Sequence, residues 1–97
     1  MRYIQLVDFD WDDANLEHIA RHGVDDLEAE EALTDESRVR LANTFKRSGE
    51  TRLAYVGKTE AGRVLTVIVT PRAGKIRVVT ARDADDIETR LYRRRQA

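Results

Sequence analysis

Four side chains with phosphate chemistry stand in two short stretches, Glu50-Thr51-Arg52 and Arg77-Val78-Val79-Thr80-Ala81-Arg82. Guanidinium groups present forked N–H donors that match phosphate oxygens better than an ammonium does. Both stretches read as strand segments, and strand ends in a meander lie close together, so Arg52, Arg77 and Arg82 could converge on one phosphate beside Glu50. The same arginines could equally line a solvated sheet face. Strict alternation puts Arg77 and Arg82 on opposite faces, so a shared site requires the strand to bend or to end before Arg82.

His18 and His22 form a second constellation, one helical turn apart. Zinc sites take three or four ligands, and the chain has no cysteine and no third histidine. No metal or other cofactor is therefore expected. At its helix end, beside Gly23, His22 suits contact with terminal carbonyls. No Ser-His-Asp arrangement and no glycine-rich phosphate loop is present.

The elements that must position these groups are marked by capping signals. Asp12 with Asn15 three residues on opens a helix that Gly23 closes, with Leu16, Ile19 and Ala20 as its apolar side. Asp25 with Glu28 opens a second helix, packed through Leu27, Ala29, Ala32 and Leu33. Alternating residues then predict an edge strand over 37–45 and strands over 51–59, 63–70 and 75–81. The 71–74 segment is the strongest turn signal in the chain. Asp83 or Asp85 caps a last helix with an apolar seam of Ala84, Ile87 and Leu91, ending in Arg93-Arg94-Arg95 to match the helix dipole. Residues 3–9 can form a short first strand. The pattern is α+β: an antiparallel four-stranded meander with two N-terminal helices and one C-terminal helix.

Ninety-seven residues make one domain, spanning 1–97. With 41% hydrophobic and 36% charged residues the composition is that of a soluble globular protein. Cysteine is absent, the apolar runs are too short to cross a bilayer, and no signal-peptide pattern opens the chain, so a cytoplasmic location with no membrane association is expected. Charge is divided unevenly. Residues 1–36 hold 12 acidic and 2 basic side chains, while 37–97 hold 15 basic and 6 acidic. A basic C-terminal half suits nucleic acid or an acidic protein as partner.

Phe9-Asp10-Trp11-Asp12, then Arg21-His22-Gly23-Val24, an acidic helix, Gly49-Glu50-Thr51-Arg52 and Ile76 to Arg82 before a helix with Glu88 and Tyr92, together resemble the BrnT-like family. Its members are small ribonuclease toxins of bacterial type II toxin–antitoxin pairs, with a RelE-like fold. The resemblance runs from Phe9 to Arg95. Better-known members carry lysines in the first helix, with a longer spacer; here Asn15, His18 and Arg21 stand in that helix, and no lysine precedes Lys46. The resemblance implies cleavage of RNA without a metal and inhibition by a cognate antitoxin, as a homodimer or a toxin–antitoxin hetero-oligomer. On residue chemistry, Arg52, Arg77 and Arg82 would hold the phosphate, Glu50 or His22 would be the base, and Tyr92 a proton donor. The alternative is a non-catalytic protein- or nucleic-acid-binding module of the same fold.

Overall fold

A computed structural model describes residues 8–42, 45–47 and 49–96. Asp12 caps α1 (Asp13–Ala20), with its side chain accepting from the Asn15 N–H while the Asn15 side chain accepts from the Asp12 N–H. The helix closes in a Schellman motif: Val24 N–H donates to Ile19 O and Gly23 N–H to Ala20 O, with Gly23 at φ 72°. Ile19 and Val24, the apolar pair of that motif, are both buried. Asp25 and Glu28 make the same reciprocal cap on α2 (Asp26–Thr34). Both helix starts are therefore where the sequence marks them.

The sheet contains β1 (Val39–Arg40), β2 (Phe45–Arg47), β3 (Glu50–Lys58), β4 (Val64–Arg72) and β5 (Lys75–Asp83). All named pairings are antiparallel, in the order β1-β3-β4-β5, with β2 also on β3. The expected edge strand over 37–45 is thus two short strands on one edge. Val39 pairs with Val56 but Phe45 pairs with Arg52, so the register slips by two residues between them. Such an interruption blunts a sheet edge against unwanted pairing. Asn43 and Thr44, part of that expected strand, lie outside the described residues. On the opposite edge Phe9 bridges Ile76 in parallel, Ile76 N–H donating to Asp8 O and Asp10 N–H to Ile76 O, each at 2.9 Å. The rest of the expected first strand, residues 3–7, lies outside the described residues.

The β4–β5 hairpin turns through Ala73 (φ 53°) and Gly74 (φ 78°), a left-handed pair suited to a two-residue hairpin loop. Pro71, opposite Ile76, fits inside β4 because Ile76 directs its own N–H and C=O to the N-terminal segment.

Helices α1 and α2 cover one sheet face, where Leu65, Val67, Val69, Val78 and Ala81 meet Ile19, Val24, Ala29 and Ala32. The small side chains of α2 let its backbone approach Gly57 closely: a Cβ there would overlap the Ala32 carbonyl. Leu27, expected among the packing residues, is 61% exposed, because α2 docks through alanines instead. Ala20 is likewise exposed.

Helix α3 (Asp86–Gln96) lies across the other face, where Tyr92 packs with Val39 and Val56. The expected seam through Ile87 is not what docks it, since Ile87 is 67% exposed. Glu88 and Tyr92, four residues apart and so on one helix side, make the attachment. Glu88 accepts from Arg82 through both oxygens (2.8 and 3.0 Å) and from Thr66 Oγ1 (2.8 Å). None of the described helices is long and apolar enough to cross a membrane.

Candidate active site

One irregularity decides which arginines share a face. Ile68 pairs with Thr80 but Val69 pairs with Val78, so Val79 is an extra residue bulged out of β5. Arg77 then pairs with Thr70 and Arg82 with Thr66. Thr66 and Thr70 are four apart on β4 and share a face, so the bulge brings both arginines to that face. They remain separated by four strand residues, about 13 Å.

At the Thr70 end of this face, the one opposite the α1–α2 layer, a cavity of about 240 Å³ is lined by Glu50 and Arg52 of β3, Thr70 of β4, and Arg77, Val78 and Val79 of β5, together with Ala14, Asn15 and His18 of α1. The structure therefore brings together Glu50, Arg52 and Arg77 from distant parts of the chain. Arg52 donates from Nη2 to Glu50 Oε1 at 3.3 Å. Its Nε is buried and, among the described residues, has no acceptor. A charged donor left so is costly unless a ligand or solvent supplies the acceptor.

Arg77 is held differently. Its Nη1 lies 3.0 Å from Asp12 Oδ2 and 3.6 Å from Asp10 Oδ1, and its Nη2 donates to Asp12 Oδ1 at 3.1 Å. Hydrogen bonding to Asp12 raises the Arg77 pKa, and the same bond, with the Asn15 N–H, lowers that of Asp12. The pair is therefore fully ionised across the physiological range.

The other expected site residues lie elsewhere. Arg82 sits at the α3 end in its bidentate pair with Glu88, whose carboxyl is lowered to about 2 chiefly by that arginine. Tyr92 is buried and donates to Asp35 Oδ2 at 2.6 Å; burial first, then Asp35, raises its phenol to about 12. Burial alone would raise Asp35, but the Tyr92 hydroxyl and the N–H groups of Ser37 and Lys58 hold it below the usual carboxylate range. His22 lies outside the cavity lining, its ring 5.8 Å from that of His18 and tilted by 60°. Its carbonyl and that of Gly23 accept from Arg63, which also pairs with Glu28 and Asp83 and so clamps the α1–α2 corner onto the sheet.

Two cavity residues escaped a role in chemistry at the sequence level. His18 invited only a metal reading, and Asn15 only a capping one. Their signal was spacing: residues 14, 15 and 18 fall on one side of a helix that also carries the Arg77 partner at its cap. Among the described residues no group of three or more His, Cys, Asp or Glu side chains could hold a metal ion.

The chain matches no curated protein significantly. A family model described as the ribonuclease toxin, BrnT, of type II toxin–antitoxin systems matches residues 11–88. That span runs from Trp11 through the cavity residues to Glu88, and the chain belongs to the BrnT ribonuclease toxin family.

Proposed function

We propose that the protein is a metal-independent endoribonuclease toxin on a RelE-like scaffold, with its active site in the cavity lined by α1, β3, β4 and β5. The observation that carries this reading is the buried Nε of Arg52, without a partner among the described residues, in a cavity that Arg77, Glu50 and His18 also line. Two guanidinium groups supply the positive charge that a transferring phosphoryl group needs, and donors aimed at developing charge are the largest single contribution in many enzymes.

In this mechanism a ribose 2′-oxygen attacks the adjacent phosphorus. The 2′-O–P bond forms, the P–O5′ bond breaks, and the products are a 2′,3′-cyclic phosphate and a 5′-hydroxyl. Glu50 and His18 are the acid–base pair, one taking the 2′-hydroxyl proton and the other delivering a proton to the leaving oxygen. Each such transfer contributes about 10²–10⁴-fold. His18 takes the place given to His22 on residue chemistry alone, because His18 lines the cavity. Arg82 and Tyr92 support α3 in this reading. A cognate antitoxin restrains the toxin by occluding the cavity, and both act in the bacterial cytoplasm.

The test is inducible expression in a bacterial host, wild type beside Arg77→Ala, following growth and total RNA. Growth arrest with RNA degradation in wild type alone is expected. Normal growth and intact RNA with folded wild-type protein would overturn the proposal and favour a non-catalytic binding module.

A further inference from the structure

We infer that Asp12 is a positioning residue for Arg77: the carboxylate that caps α1 also sets the orientation of the cavity guanidinium. This rests on the reading of Arg77 as a phosphate-binding group.

An arginine side chain is long and rotamer-rich, and the strand fixes only its Cα and Cβ. What fixes the guanidinium here is Asp12. Both carboxylate oxygens receive Arg77 donors, at 3.0 and 3.1 Å, and Oδ1 also accepts the Asn15 N–H of the cap. Asp10 adds a looser contact at 3.6 Å. The turn carrying both aspartates is itself tied to β5. Buried Asn15 donates through Nδ2 to Asp10 O (2.9 Å) and to Val78 O (3.1 Å), one residue from Arg77, while its Oδ1 accepts from Asp12 N–H. Asn15 thus spends its amide bridging the aspartate turn and the arginine strand. The Asp12 side chain is 54% exposed, and an exposed ion pair adds little to stability. Its consequence is geometric, and misplacing a catalytic group by about 1 Å can lower turnover by about 10²-fold.

Asp12→Asn separates the two jobs, because asparagine caps helices as well as aspartate does but carries no charge. In RNA cleavage the variant is expected to lose kcat on the order of 10²-fold, with KM and Tm close to wild type. Asp12→Ala loses both the cap and the clamp, so its Tm falls as well. A second readout needs no turnover. In ¹⁵N-arginine NMR, rotation about the Arg77 Cζ–Nη bonds is expected to be slow in wild type, with resolved Nη protons, and averaged in Asp12→Asn. Full kcat in Asp12→Asn, or an unchanged Arg77 signal, overturns the inference. A folded wild type that cleaves no RNA overturns the ribonuclease reading instead, and the arginine signal then decides the clamp by itself.

Discussion

Replacing Arg52 by methionine should stabilise the protein while weakening its hold on RNA. The Arg52 side chain is 21% exposed, and its buried Nε has no acceptor among the described residues. Leaving a buried donor unsatisfied costs about 1–3 kcal/mol. Its ion pair with Glu50 at 3.3 Å has a 42%-exposed partner and is worth about 0–1 kcal/mol. Methionine keeps the aliphatic stem against the sheet, and Glu50 is hydrated when the pair is removed. The net change is a gain of about 1 kcal/mol, which for a domain of this size raises Tm by roughly 4–8 °C. Thermal unfolding by circular dichroism reads the gain. Titration of single-stranded RNA at several salt concentrations reads the loss, because removing one phosphate contact reduces the slope of log K against log salt by about 0.7. A Tm lowered by several degrees would show that Arg52 is a structural cation. An unchanged salt slope would remove it from the phosphate site.

Gly57→Ala should destabilise by about 3 kcal/mol or more, the upper end of overpacking, since the added Cβ would overlap the Ala32 carbonyl and lie 2.8 Å from its carbon; a urea-unfolding loss below about 1 kcal/mol would contradict the close approach. Glu88 should make the protein acid-sensitive. Its carboxyl is lowered from 4.5 to about 2, first by Arg82, so its contribution is complete above pH 4.5 and is lost as pH falls towards 2. That displacement corresponds to roughly 3 kcal/mol, reduced to about 2 by solvent at the 39%-exposed Arg82. Urea unfolding at pH 6, 4 and 3 should show Glu88→Gln converging on wild type as pH falls, and a constant gap would refute the assignment. Tyr92→Phe should lose about 1.5–3 kcal/mol, as for a hydrogen bond to a charged group, with RNA cleavage retained. Loss of cleavage at unchanged stability would place the phenol in the chemistry instead.

The helices were legible because their ends are written locally. Asp12 with Asn15, Asp25 with Glu28, and Gly23 at the Schellman position each satisfy backbone groups within a few residues. Glu50, Arg52 and Arg77 were legible as a cluster because paired strands bring their ends together. The Val79 bulge was not, since nothing in Arg77-Val78-Val79-Thr80-Ala81-Arg82 distinguishes an extra residue from regular alternation, and it alone puts Arg77 and Arg82 on one face. Nor could composition show how individual charges are used. Arg82 is bound to Glu88 and the Tyr92 hydroxyl to Asp35, both through contacts that form only when α3 lies on the sheet. Asn15 reads as an ordinary cap partner until its burial against Val78 is seen. The break in the β1–β2 edge is tertiary in the same way, because it is defined only by the register on β3.

The most direct test of the ribonuclease reading is end-group analysis of RNA incubated with purified protein in excess chelator, wild type beside His18→Ala and Arg77→Ala. Fragments with 2′,3′-cyclic phosphate and 5′-hydroxyl ends are expected from wild type, with kcat lowered about 10²–10³-fold when the arginine donor is lost and about 10²–10⁴-fold when the histidine is lost. Cleavage that stops with chelator, or that survives undiminished in both folded variants, would contradict that reading.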